Sequence, residues 1–260
     1  MNTESKVNRS PAPTLSRVCA CALTLVALSG GAPVTARGDA LSVYQQRQEI
    51  ATPATVLAWL KAGNHRFTEG KSKLGGFMEN ARERIKVSAV SQRPLAAVLS
   101  CIDSRTTPEL VFDTSVGDLF TARVGANVVN DDILGSLEIA AESGIRVIVV
   151  LGHTDCGGVK AACSGLVLDH MTQLLERVKP AITTANAQLD ADSALSAAVG
   201  ERTVGNRRYI AQVSHANALQ SARQIRERSP LLRKKIESGE LILVAALYDV
   251  ESGQVMFESL

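Results

Sequence analysis

The chain has 260 residues, 45% of them hydrophobic and 21% charged, so it can bury a full core and is not disordered as a whole. Aromatic residues make up only 3% and no dense basic stripe stands out, which leaves nucleic-acid binding without support. The net charge of +2 belongs to the first segment: residues 1–36 hold three of the 28 basic and one of the 26 acidic residues, leaving 25 of each in a neutral remainder.

That first segment has its own pattern. Lys6, Arg9 and Arg17 precede an apolar stretch from Val18 to Leu28, followed by small residues ending in Val34-Thr35-Ala36. This order reads as a secretory signal cleaved after Ala36, which would leave a periplasmic or secreted domain of residues 37–260. The apolar stretch falls short of the roughly 20 residues that cross a bilayer; an uncleaved membrane anchor is the alternative. Cys19 and Cys21 leave with the signal, so the mature cysteines are Cys101, Cys156 and Cys163.

Thr52-Pro53 opens a helical pattern with Val56, Leu57, Trp59 and Leu60 at helical spacing, and Gly70 to Gly76 reads as a loop. Pro94 to Ser100 is an unbroken small-apolar run, the mark of a strand buried on both faces. Leu119 to Val124 is a second strand. Asp131-Asp132 is expected to cap a helix whose Ile133, Leu134, Leu137 and Ala141 share a face, with Gly144 ending it. Arg146 to Leu151 is a third strand, Leu168 to Val178 and Tyr209 to Arg226 are helical, and Leu241 to Leu247 is a fourth buried strand. Gln254 to Glu258 forms a short edge strand after a turn at Glu251-Ser-Gly253. Ala185 to Ala198 is Ala-rich and weakly patterned, a frayed helix or a surface excursion. The alternation predicts a single α/β domain: a mostly parallel sheet of four strands plus a short edge strand, flanked by helices, with an N-terminal helical arm.

The chemistry sits where two of these strands end. Cys101-Ile-Asp103-Ser-Arg105 follows the first buried run, and Gly152-His153-Thr-Asp-Cys156-Gly-Gly158 follows the third. Cys101, His153 and Cys156 are donors zinc prefers, and three protein ligands leave one tetrahedral position for water, as in a catalytic site. Ligands bind beyond the carboxyl ends of parallel strands, so adjacent strands would bring the three together. Two thiolates and an imidazole bring zinc to zero charge, which makes bound water less acidic and calls for help nearby. Asp103 can accept that water's hydrogen, and Arg105 can hold Asp103 ionised and fixed. Released from Arg105, Asp103 could itself take the open position at low pH. A Cys101–Cys156 disulfide is the competing reading, and it needs neither His153 nor the acid–base pair. Cys163 reads as a small helical filler, and His65, His170 and His215 as packing residues on helices.

These fragments resemble the zinc-binding Cys-x-Asp-x-Arg and His-x-x-Cys motifs of the β-class carbonic anhydrases. Gly63-Asn-His-Arg-Phe67, Phe120-Thr-Ala-Arg123-Val124-Gly-Ala-Asn127, Gly135-Ser-Leu-Glu138 and Tyr248-Asp249-Val250 resemble further family landmarks in the family's order, across roughly residues 52–258. With the leader, the likeness points to an exported bacterial member. The resemblance implies one Zn2+ per subunit on Cys101, His153 and Cys156, an orienting Asp103–Arg105 dyad, and reversible hydration of carbon dioxide to bicarbonate. It implies that Phe120 and Val124 line an apolar substrate pocket and that Gln92 faces the site across a subunit boundary. It further implies a homodimer or higher assembly, with the helix around Trp59 embracing the partner. Two departures stand out. Ile139 replaces an aromatic and is expected to reshape a pocket wall, and Val98 stands where members with a second bicarbonate site carry Trp. A carbonyl sulfide or carbon disulfide hydrolase on the same fold, or a non-enzymatic zinc scaffold, are the other readings.

Overall fold

A computed structural model of the chain describes Gln46 and residues 48–260, apart from 74 and 90, with backbone alone at 75–80 and 259. The expected signal and its cleavage point lie outside the described residues. No helix among the described residues is long and apolar enough to cross a membrane.

The helix α1 (Pro53–Thr68) starts as its sequence requires: Thr52 and Thr55 form a reciprocal capping box, with Pro53 in the first turn. Its buried Val56 and Leu60 lie against the sheet of its own chain, and Trp59 packs there partly buried. Within one chain this helix thus packs onto the core. The loop expected from Gly70 to Gly76 loses its last two residues to α2 (Gly75–Ser88).

Five strands form the sheet: β1 (Ala96–Ser100), β2 (Leu119–Arg123), β3 (Val147–His153), β4 (Ile242–Tyr248) and β5 (Val255–Ser259). Their order is β2-β1-β3-β4-β5, with the first four parallel and β5 antiparallel to β4. The expected four-plus-one sheet is what forms. Ala97, Leu99, Ile148, Val150, Leu243 and Ala245 face α4 (Asp131–Glu142), α9 (Arg207–Arg228) and α10 (Pro230–Glu237). Ala96, Val98, Val147, Val149, Leu151, Val244 and Ala246 face α1 and the short α3 (Pro108–Val111). Burial on both faces is why these runs show no alternation.

Three readings need correction. The cap of α4 is Asn130, whose side chain accepts from the Ile133 N–H at 2.9 Å, so Asp131 and Asp132 sit in the first turn. There they still complement the helix dipole. Ala185 to Ala198 is two helices, α7 (Lys179–Ala191) and α8 (Ser193–Val199), broken where Asp192 caps the second by accepting from the Leu195 N–H. Its pattern is weak because Ala181 and Ala185 fill a narrow space beside α9. Finally, His153 ends β3 and does not follow it. The remaining short helices are α5 (Gly157–Cys163) and α6 (Asp169–Glu176).

Candidate metal centre

The β1–β3 register pairs Ser100 with Leu151, which sets Cys101 beside the end of β3. The chain then turns after His153, and Cys156 becomes the N-cap of α5. The donor atoms of Cys101, His153 and Cys156 all lie within 4.8 Å of one another, and all three residues are buried. Among the described residues this is the one such group of His, Cys, Asp and Glu.

The donors fit zinc on three counts. Two sulfurs about 2.3 Å from one tetrahedral ion stand about 3.8 Å apart; here the Sγ atoms are 3.9 Å apart and not bonded to each other. His153 Nδ1 lies 2.9 Å from the Thr154 carbonyl oxygen, which can only accept. Nδ1 therefore carries the hydrogen and Nε2 offers its lone pair. That Nε2 is buried with no hydrogen-bond partner, which is costly unless a ligand uses it. The sulfurs already share charge unequally. The Cys156 thiol, with His153 beside it, pulls the Cys101 thiol down to about 4 against the opposing effect of burial. Cys156 is pushed up by Cys101 and by burial, so one proton remains between them. A soft divalent ion replaces such a proton.

The dyad forms as its spacing suggests. Arg105 Nε and Nη2 donate to the two Asp103 carboxylate oxygens at 2.9 and 2.8 Å, and the Arg105 backbone N–H adds a third bond at 3.0 Å. Arg105, chiefly through its side-chain bonds, holds the Asp103 carboxyl down at about 2. The loop bearing the pair is fixed from behind. Arg123 donates to the carbonyls of Cys101 and Asp103 at 3.0 and 2.6 Å, and the Thr106 hydroxyl donates to the same two.

Several supporting residues were not legible in the sequence. Asp155, in left-handed backbone at φ 60°, receives Arg105 Nη1 at 3.4 Å and also pairs with Lys160, tying the two ligand loops together. The Thr154 hydroxyl donates to Asp249 at 3.0 Å, fixing the residue whose carbonyl orients His153. Asn217 on α9 donates to the Ala126 carbonyl at 2.7 Å, and the Ala126 N–H points at Cys101 Sγ, 3.3 Å away. Arg123 and Asp249 lay inside resemblance landmarks; Asp155 and Asn217 gave no local signal.

The other expected site residues are spread out. Phe120 is half-buried on β2, and Val124 packs partly buried against the clusters on both sides of it. Gln92 is exposed ahead of the amino end of β1, at the far end of that strand from Cys101, so one chain does not bring it to the cluster. Ile139 is exposed on α4 within one chain. Val98 is buried in β1. Gly158 is needed for a close approach: a Cβ there would stand 3.1 Å from the Ala126 Cβ.

A family model described as carbonic anhydrase matches residues 96–255. The carbonic anhydrase of Mycolicibacterium smegmatis is 31% identical over 212 residues, covering 78% of this chain and 93% of that protein. Carbonic anhydrase 2 of Mycobacterium tuberculosis is 28% identical over 209 residues, covering 77% and 91%. Among solved structures, the β-carbonic anhydrase CafA of Aspergillus fumigatus superposes with a TM-score of 0.59 at 23% identity, covering 73% of this chain and 87% of that one. One of two tetrameric β-carbonic anhydrases from Sordaria macrospora gives 0.59 at 21% identity, covering 74% and 94%. At these identities the structural likeness is one of fold.

Proposed function

Since the chain belongs to the β-carbonic anhydrase family, we propose that it catalyses the reversible hydration of carbon dioxide to bicarbonate and a proton. Cys101, His153 and Cys156 hold one zinc ion per subunit. The observation that carries this reading is a buried group of three soft donors with a bidentate carboxylate–guanidinium pair directly beside it. A structural zinc site is closed by a fourth protein ligand and has no use for such a pair.

Bound zinc makes water acidic enough to serve as a nucleophile near neutral pH or above. Everything else is the work of the chain. Asp103, held ionised by Arg105, accepts the nucleophile's hydrogen and so aims its lone pair at the substrate carbon. Arg123 and Thr106 keep the loop from following Asp103 if it moves. Phe120 and Val124 supply apolar surface for a substrate without net dipole and exclude competing water.

The enzyme acts as a homodimer or a higher assembly, and the partner subunit's Gln92 reaches the site. Ile102, between Cys101 and Asp103, is exposed, which suits a surface covered by a partner beside the site. Residues 1–36 act as an export signal and residues 37–260 as the mature domain. N-terminal sequencing of the mature protein checks that division.

Stopped-flow hydration of carbon dioxide above about pH 8, with the zinc enzyme, after chelation and after zinc is restored, tests the activity. Turnover should be lost on chelation and return with zinc. Absence of any zinc-dependent hydration would overturn the reading.

A further inference from the structure

Two features of the closed side of the metal cluster have no role in the mechanism above. Ala126 adopts φ 52° and its neighbour Asn127 φ 44°, a left-handed conformation that disfavours any residue with a Cβ. Opposite stands Asn217, fully buried in the middle of α9 among Val213, Ala216 and Ala218. A buried amide costs free energy unless it holds something. The Oδ1 of Asn217 has no partner, whereas its Nδ2 donates to the Ala126 carbonyl at 2.7 Å. The residue is there for its donor. What that donor fixes is Ala126 from its carbonyl side, and the N–H of the same residue, in the peptide unit on the other side of its Cα, meets Cys101 Sγ at 3.3 Å.

We infer that Asn217 is a positioning residue that acts through Ala126 to aim a backbone N–H at the Cys101 sulfur and so tune how strongly that sulfur donates to the metal. The inference rests on the proposed reading of Cys101 as a zinc ligand. Two thiolates and an imidazole cancel a divalent charge, so electron density withdrawn from one sulfur leaves the metal more electrophilic. Hydrogen bonds to ligating atoms are the usual means of such tuning. A leucine at 217 would suit the helix and the apolar surroundings but would leave the Ala126 carbonyl unheld.

Cobalt(II) as a probe separates the possibilities. The wild-type cobalt protein should show a thiolate-to-cobalt charge-transfer band, weakened in Cys101→Ser. Absence of that band in the wild type overturns the ligand reading itself, and this inference with it. In Asn217→Leu the band should move to lower energy, because a sulfur relieved of its N–H donor gives up an electron more easily. A lost affinity or lower melting temperature with the band unmoved means a merely structural role and overturns the proposal. A wild-type measurement keeps the test independent of how the variant folds. With a spin-half cadmium isotope bound, the Ala126 amide proton should show scalar coupling to the metal through the sulfur. Cadmium bound to the cysteines without that coupling also overturns the proposal.

Discussion

Replacing Arg105 by Met separates orientation from charge in the proposed mechanism. Arg105 makes three bonds to Asp103, two through its guanidinium at 2.9 and 2.8 Å and one through its backbone N–H at 3.0 Å. Methionine keeps only the last, which leaves the carboxylate free to rotate. An unassisted aspartate titrates near 3.9, so at pH 8 only about one molecule in ten thousand would carry a protonated Asp103. The charge survives and only the aim is lost. A misplacement of about 1 Å at a reacting group costs about 100-fold, or about 2.7 kcal/mol at 1.36 kcal/mol per tenfold. Stability should suffer little, because a half-exposed ion pair is worth about 1 kcal/mol or less. Stopped-flow kcat/KM should therefore fall about 100-fold, with zinc content and melting temperature near those of the wild type. The deficit should stay constant between about pH 7 and 9, where Asp103 is ionised in both proteins. Arg105→Lys should recover less than about tenfold, since a point charge cannot reproduce the fork. The reasoning is refuted if the zinc-loaded Met variant retains nearly full activity. It is equally refuted if its deficit closes at high pH, which would trace the loss to an altered nucleophile pKa.

Three further changes test the frame around the site. A Cβ at Gly63 would lie 1.9 Å from the Phe112 carbonyl oxygen, so Gly63→Ala should unseat α1 and cost about 3 kcal/mol or more in urea unfolding. Asp113, its side chain fully buried, accepts from Arg66, Ser72 and the Lys73 N–H. Burial raises its pKa, but those three bonds outweigh it and the net shift is downward. A depressed folded pKa adds stability above the unfolded value, near 3.9, that is lost as the pH falls through the folded value. Asp113→Asn should therefore destabilise by about 2–4 kcal/mol at neutral pH, and urea midpoints should converge with the wild type only in strong acid. Thr154→Val removes the hydroxyl bonded to Asp249 and should weaken zinc binding by about tenfold in chelator competition, because the carbonyl orienting His153 loses its anchor.

The sequence announced what was periodic or local and missed what was neither. β1, β3 and β4 were readable because burial on both faces makes them unbroken apolar runs, and the Thr52-Pro53 start of α1 because capping is local. The three donors were readable because each stands at or just beyond a strand end. Asn130 was missed as a cap because Asn130, Asp131 and Asp132 are all good caps, and only the bond to Ile133 decides among them. The helix α2 was hidden by its opening Gly75-Gly76, which reads as a loop. Asp155 and Asn217 were invisible for a different reason. Asp155 meets Arg105 fifty residues earlier, and Asn217 meets Ala126 across ninety-one. No window of sequence holds both partners, so only the adjacency of β1 and β3 and the seating of α9 disclose them.

Exposure is graded across the site in a way that favours a catalytic metal over a structural one. His153 is 0% exposed, Cys156 1% and Cys101 4%. The side chain of Asp103 is 17% exposed and that of Arg105 45%. Behind the donors stand Ala126 and Asn217, both buried, with the buried face of α9. Solvent and substrate therefore meet the cluster from the side of the dyad, and a molecule reaching a fourth coordination position does so beside the Asp103 carboxylate. A fold needing zinc only for stability would gain from closing that side with a further ligand, and Asp103 stands close enough in sequence to supply one. Here Arg105 holds it by both oxygens instead, which, on the proposed reading, would keep the carboxylate beside a fourth coordination position without binding the metal.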